Sequence, residues 1–253
     1  FEDIDGQGID YATHWSRQIG AYAAYWPQKQ LAQAIRSNAT TYDGLAFFHA
    51  AHPVNPFKSS AGTYGNILTG AASGSYPGAL PIHNNTVAEA VDNIAKGIAY
   101  VSQLKMPNGE DPRFMKLSKI IVPPKLLARA QQITNAKFVA QLAATGVAAG
   151  GSGDVEAVVS NWGLGQPIEA VELSSAFTGN AADDNTYYLV MEEITSSEMG
   201  AFMWVPREDF SVQYYGPQTD AQLARIRELH WYTEGRFGLM FGHPYMLIKC
   251  TPT

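Results

Sequence analysis

Between Gly44 and Ala88 the chain carries one charged side chain, Lys58. A stretch of 45 residues with a single charge is hard to reconcile with an ordinary solvated connection, because loops longer than about 15 residues are uncommon in compact domains. The segment is dense in turn residues, as in Ala51-His52-Pro53-Val54-Asn55-Pro56-Phe57, Gly62-Thr63-Tyr64-Gly65-Asn66 and Gly70-Ala71-Ala72-Ser73-Gly74-Ser75-Tyr76-Pro77-Gly78. Among these turns sit Phe47, Phe48, Phe57, Tyr64, Ile67, Leu68 and Tyr76, a costly set to leave in water. A flexible surface insertion is one account. The other is an extended arm or hairpin lying on apolar surface, which in a chain of this size a partner would supply.

The deficit is wider than this segment. Charged residues are 16% of 253, against roughly 25% in ordinary domains. A formal net charge of -6, with no basic run, excludes a general nucleic-acid coat or a membrane-surface module. One cysteine, Cys250, leaves no disulfide framework or cysteine metal cluster within the chain. No window approaches 18 consecutive apolar residues, so no membrane-spanning helix is expected. The chain opens at Phe1 on an acidic stretch with no basic leader, and loss of a preceding segment is expected.

Tyr11, Trp15, Ile19, Tyr22 and Trp26 recur at three- and four-residue spacing, one face of a helix. Pro27 either kinks this helix or starts a second, since Leu31 and Ile35 continue the stripe. Arg17 is the only charge between Asp10 and Lys29, so the helix reads as sandwiched rather than solvated. Thr86-Val87-Ala88-Glu89 is a capping box opening a helix with Val87, Val91, Ile94, Ile98, Val101 and Leu104 on one face, stopped by Pro107. Asn108-Gly109 forms a turn. Leu117–Val122 reads as a strand and Lys125–Ile133 as a helix behind Pro123-Pro124. Ala143–Gly153 reads as a loop, and Val155–Val159 and Ile168–Leu173 as strands around a turn at Asn161–Gly165. Tyr187–Met191, Phe202–Val205, Phe210–Tyr215, Arg225–Tyr232 and Tyr245–Lys249 complete the strands. This is an α+β chain, without the alternation of a doubly wound sheet.

Candidate chemistry is sparse. His49 and His52 could ligate a metal if helical, but Pro53 opposes a helix and no third ligand is adjacent. Gly62-x-x-Gly65 and Gly146–Gly153 lack the Lys-Ser/Thr ending of a phosphate loop. The pairs Asp183-Asp184 and Glu192-Glu193 do not make shared acid/base sites, because adjacent strand residues point to opposite faces. Asp183-Asp184 looks like a solvated hairpin tip. Cys250 reads as a buried thiol, and His230 and His243 have no recognisable partner. No catalytic residue, metal or cofactor is expected. Large aromatic area with little charge suits a protein–protein contact.

Three passages in order carry a resemblance. Thr41-Tyr42-Asp43-Gly44-Leu45-Ala46-Phe47-Phe48-His49-Ala50-Ala51-His52-Pro53 resembles the Tyr-Asp-Gly, Phe-Phe, His-Pro segment of Mu-like phage major head subunits. Lys119-Ile120-Ile121-Val122-Pro123-Pro124-Lys125-Leu126 resembles their strand-proline-helix passage, and Arg236-Phe237-Gly238 with His243-Pro244 their terminal strands. The pattern runs from about Ala12 to Lys249. It implies the major capsid protein fold of tailed phages, with an N-terminal arm (1–40), extended loop (41–82), peripheral domain with a long spine helix (83–117), axial domain (118–195) and return strands (196–253).

By that resemblance the chain is a structural, non-enzymatic head protein. It would self-assemble as pentamers and hexamers into an icosahedral shell around double-stranded DNA, in the virion after assembly in the host cytoplasm. Its implied partners are a portal, a scaffolding protein, a maturation protease and a decoration protein, with no sequence-specific DNA contact. The expected inter-subunit contacts are Trp15, Tyr22, Trp26, Phe47, Phe48, Phe57 and Tyr64. The competing readings are a non-viral encapsulating shell of the same fold, and a carbohydrate-binding domain stacking sugars on exposed Trp and Tyr.

Overall fold

The computed structural model describes residues 11–134, 138–140, 154–156, 166–193, 200–215 and 230–252. The elements run α1 (Tyr11–Ser37), β1 (His52–Pro53), β2 (Thr63–Tyr64), β3 (Ile67–Leu68), α2 (Val87–Ser102), β4 (Met115–Val122), α3 (Pro124–Thr134), β5 (Phe138–Ala140), β6 (Asp154–Glu156), β7 (Ile168–Glu169), α4 (Ser175–Thr178), β8 (Tyr187–Glu193), β9 (Phe202–Tyr215), β10 (His230–Phe241) and β11 (Leu247–Cys250). They divide into two units. The smaller takes the chain up to Ala34 with Met203–Met240, and the larger takes Ile35–Phe202 with Phe241–Thr253.

The larger unit is built on a five-stranded mixed sheet in the order β3-β11-β8-β4-β7. The two inner pairings, β11 with β8 and β8 with β4, are antiparallel; the outer strands β3 and β7 add in parallel. β4 alternates as its sequence demands, burying Met115, Leu117, Ile120 and Val122, with the register shifting between Leu117 and Lys119. α2 starts where the capping box places it: Thr86 Oγ1 accepts from the Glu89 amide at 3.2 Å, and Glu89 Oε2 accepts from the Thr86 amide at 2.8 Å. Its buried face is Ala90, Ile94, Gly97, Tyr100 and Val101. At Gly97 a Cβ would stand 3.0 Å from Leu189 Cδ1 of β8, so the glycine sets how closely the helix approaches the sheet. α3 packs Leu126, Ala130 and Ile133 into the same core.

The charge-poor segment does not stand away from this body. Asn38 ends α1 in the left-handed region (φ 45°), a conformation asparagine tolerates. Its side chain clamps Phe48, accepting from the amide at 2.6 Å and donating to the carbonyl at 3.3 Å. A turn at Thr41–Leu45 is organised by Asp43, whose Oδ1 accepts from the Thr41 hydroxyl and the Leu45 amide while Oδ2 receives His52 Nδ1. Asn66, fully buried, donates to the carbonyls of Phe47 (2.6 Å) and Pro244 (3.0 Å) and accepts from the His49 amide (2.8 Å). The Tyr100 hydroxyl accepts from Gly65 N–H and donates to Gly65 O, both at 2.9 Å. The Tyr76 hydroxyl closes the turn between Ile67 and Thr69 in the same way. Neutral amides and phenols thus satisfy the backbone of a segment that carries almost no charge.

Several expectations change. Of the two readings of Pro27, the start of a second helix is overturned: α1 is continuous over 27 residues with Pro27 inside it. Phe202–Val205 and Phe210–Tyr215 are one 14-residue strand, β9. Ile168–Leu173 is two residues of strand followed by a 3-10 turn at Val171–Leu173, and Pro244–Met246 turns before β11 begins. Asp183-Asp184 is not a hairpin tip but part of a 3-10 turn, where Asp184 accepts from both Ser175 N–H (2.8 Å) and Ser175 Oγ (2.7 Å). Those bonds hold the Asp184 carboxyl below its ordinary pKa. Glu192 and Glu193 do face opposite ways, toward Lys116 at 3.4 Å and Arg113 at 3.9 Å respectively. The expected loop at Ala143–Gly153, the turn at Asn161–Gly165 and residues 157–159 and 225–229 lie outside the described residues.

Candidate functional site

In the smaller unit the helix stripe meets the β9–β10 pair and forms an aromatic groove. α1 contributes Ile19, Tyr22 and Trp26, and the strands contribute Phe210, Phe237 and Met240 around a cavity of about 1020 Å³. Phe237 is the hub. It stacks on Trp204 at 4.3 Å, tilts against Phe210 at 5.4 Å and takes the edge of Trp26 at 6.2 Å, separations at which aromatic pairs attract. Gly235 makes this possible, because a Cβ there would lie 2.7 Å from the Phe210 ring. Lys29 Nζ sits 5.8 Å from the Trp26 ring centre, within cation–π range.

The internal pairing leaves much of this surface uncovered: Tyr22 is 74% exposed, Trp15 52% and Trp26 39%. The charges nearby compensate one another, with Arg236 reaching Glu208 and Glu234 at 3.5 Å each. The groove therefore offers aromatic area edged by the cations Arg207 and Arg236, suited to desolvation by another protein surface.

A second feature belongs to the larger unit. Phe57 is 99% exposed, yet the turn carrying it is braced. Asn55 Oδ1 accepts from the Phe57 amide at 2.8 Å, and Asn55 Nδ2 donates to Pro107 O at 2.9 Å. Lys58, the lone charge of the segment, donates through Nζ to Asn108 O at 3.1 Å. The backbone that presents the ring is therefore ordered before any partner arrives, which leaves only the side chain's own rotamer freedom to be lost on contact.

The other three expected contacts require correction. Phe47 and Phe48 are buried within their own chain, as is Tyr64. Phe47 packs against Phe202 at 4.8 Å, Phe241 at 5.5 Å and Phe48 at 5.0 Å; Phe48 also meets Tyr188 at 5.7 Å. Tyr64 stacks on His52 at 5.4 Å. The surface expected from a neighbour is supplied by residues about 140 to 190 positions away in the same chain, which sequence spacing cannot reveal. Sequence reading also passed over Trp204, Phe210 and Gly235 as site residues. Trp204 and Phe210 share a strand face by parity, a relation lost when Phe202–Val205 and Phe210–Tyr215 are read as separate strands.

The remaining candidates are structural. His52 is buried, with Nδ1 on Asp43 and Nε2 3.1 Å from Phe47 O. Burial pushes the Cys250 thiol up to about 12, leaving it protonated and inert at neutral pH. Among the described residues no group of three or more His, Cys, Asp or Glu could hold a metal, and no helix is long and apolar enough to cross a membrane.

No protein-family model matches the chain, and no curated protein matches it. Among solved structures it is similar, over 100% of its length and 69% of the other chain, to the capsid structure of the cyanophage P-SCSP1u, at 14% identity and a TM-score of 0.53. It is also similar to a virus-like particle from Pyrococcus furiosus, over 73% of this chain and 56% of that one, at 12% identity and a TM-score of 0.35. The whole-length likeness establishes an α+β fold of the phage-capsid type.

Proposed function

We propose that this chain is a shell-forming subunit whose work is mechanical: many copies associate through aromatic surface into a closed particle. The whole-length likeness to a phage capsid fold carries this reading. The exposed groove at Tyr22, Trp26 and Phe237 and the braced Phe57 support it as the contact surfaces, with the exposed Trp15 one turn earlier on α1. A groove and a separate knob differ in shape, so they suit head-to-tail contacts, which close into rings when the rotation allows. Burying 400 Å² of apolar area per contact yields about 10 kcal/mol before ordering costs. Repeated around a ring, that holds without covalent crosslinks.

The finer reading is a Mu-like major head subunit forming pentamers and hexamers around double-stranded DNA, with a portal, scaffold, protease and decoration protein as partners. In it the Tyr11–Ser37 helix serves as the arm and Val87–Ser102 as the spine helix. The motif resemblance supports this, and the net charge of -6 fits an inner wall that does not clamp the genome. The test is sedimentation and negative-stain imaging of the purified protein. Polyhedral particles are expected, lost in Trp26→Glu while the subunit stays folded. A stable monomer under all assembly conditions tried, or intact particles from Trp26→Glu, overturns the reading.

A further inference from the structure

The groove between α1 and the β9–β10 pair is apolar along its floor and cationic along its sides. Arg207 and Arg236 line it, and Lys29 Nζ stands 5.8 Å from the ring centre of Trp26, another lining residue. Glu208 and Glu234 reach Arg236 at 3.5 Å each. Arg207 is exposed and makes no ion pair among the described residues. The helix has the same sign, since Tyr11–Ser37 carries Arg17, Lys29 and Arg36 and no acid.

The ten residues that lead into α1 have the opposite sign. They carry Glu2, Asp3, Asp5 and Asp10 with no base, and between the acids stand Phe1, Ile4 and Ile9. A peptide of apolar residues edged by acids therefore adjoins, in the same unit, an apolar groove edged by cations. Complementarity of charge selects such a partner, and burial of its apolar residues holds it.

The distances permit the contact within one chain. Gly6-Gln7-Gly8 offers a point at which the chain can reverse. From there Phe1–Asp5 spans about 16 Å when extended. Tyr22 lies about 16 Å along the helix from Tyr11, so Phe1 reaches the Tyr22 end of the groove. A short tether also sets a local concentration in the millimolar range, at which even a weak contact is populated.

We infer that residues 1–10 fold back on the groove of their own chain, with Phe1 and Ile4 against its aromatic side chains and the acids facing Arg207 and Lys29. The docking does not depend on the shell reading. Its consequence does: where a second copy also uses this groove, the segment is a latch that the neighbour displaces, and subunits stay dispersed until it is released.

The test is disulfide trapping in the full chain, dispersed and treated with oxidised glutathione. Cys250 is buried with its thiol held protonated, so an added pair of cysteines reports alone. Ile4→Cys with Tyr22→Cys is expected to close within one chain, seen as a faster monomer on a non-reducing gel and a mass lower by two hydrogens. Ile4→Cys with Ala24→Cys, exposed on the opposite side of α1, should stay open. Arg207→Glu should cut the yield of the first crosslink about fivefold while the melting temperature stays that of the parent. Ile4→Glu should hasten particle formation; a crosslink that closes in a chain that never forms particles leaves the docking standing and removes the shell reading. Crosslinked dimers in place of closed monomers assign the groove to a second copy's segment and overturn the inference. Equal yields with Tyr22→Cys and Ala24→Cys overturn it as well.

Discussion

Phe47 and Phe57 lie ten residues apart in one charge-poor segment, and the structure gives them opposite duties. Phe47 is wholly buried against Phe48, Phe202 and Phe241, whereas Phe57 is wholly exposed. Truncating Phe47 to alanine removes the transfer free energy of a buried ring and leaves a cavity among three other aromatics, at a cost of about 3–5 kcal/mol. With a urea slope of about 2–3 kcal/mol/M, the midpoint falls by about 1–2.5 M. Phe57→Ala in the free subunit stays within about 0.5 kcal/mol of the parent, since nothing covers the ring. Once a contact buries that ring it is worth about 1.5–3 kcal/mol, so Phe57→Ala raises the protein concentration needed for assembly about 10- to 100-fold per contact. The assays are urea unfolding of dispersed subunits by circular dichroism and sedimentation of assembly reactions. If Phe47→Ala left the subunit's midpoint unchanged while blocking particles, that ring would be shielded by a neighbour after all, and the division drawn here would fail.

Asn66→Ala takes the acceptor from the His49 amide and removes one donor from each of the carbonyls of Phe47 and Pro244, which keep His52 Nε2 and the Leu247 amide beside them, and is expected to cost about 1–3 kcal/mol, read as a fall in urea midpoint. Burial raises the Asp43 carboxyl, but the hydrogen bonds from Thr41, His52 and the Leu45 amide outweigh it and bring its pKa below the usual value. Its stabilisation is therefore complete above the unfolded carboxylate pKa of about 3.9 and is lost as pH falls through the lower folded value, so Asp43→Asn should flatten the acid limb of a pH–stability profile. Thr86→Ala removes the α2 cap and should cost about 1 kcal/mol in the same unfolding assay. Gly78→Ala is expected to be markedly destabilising, because φ is 75° and a Cβ there would lie 2.6 Å from the Ala72 amide nitrogen; a parent-like melting temperature would contradict this.

What sequence could disclose follows the range of the forces involved. The capping box at Thr86–Glu89, the alternation of β4 and the Pro124 start of α3 are set by residues within a turn or two of each other, and they fall where expected. The sheet order β3-β11-β8-β4-β7 joins segments up to 180 residues apart and leaves no local trace. The Trp15–Ile19–Tyr22–Trp26 stripe predicted a helix correctly, yet its periodicity says nothing of Phe237, which is more than 200 residues further on. Proline weakens a helix or strand locally, but α1 and β9 persist through it because each is held by aromatic packing along its length.

The low charge of this chain has two physical causes. In the segment from Thr41 to Ile82, charge is absent because the backbone is satisfied internally by Asn38, Asn66, Tyr76 and Tyr100, and a charged group among them would be buried at a cost no partner there offsets. The exceptions are Asp43, held by three donors, and the exposed Lys58, which donates to Asn108 O. On the groove of the smaller unit, charge is sparse while Tyr22 and Trp15 remain in water, so internal satisfaction cannot be the reason. On the proposed shell reading, that surface is completed by a second copy. The first region then serves folding and the second assembly, so mutations in them should separate cleanly into folding and assembly defects. A shell built of such subunits needs that separation, because a subunit folded only by its neighbours would expose its core at every unfilled position of a growing edge.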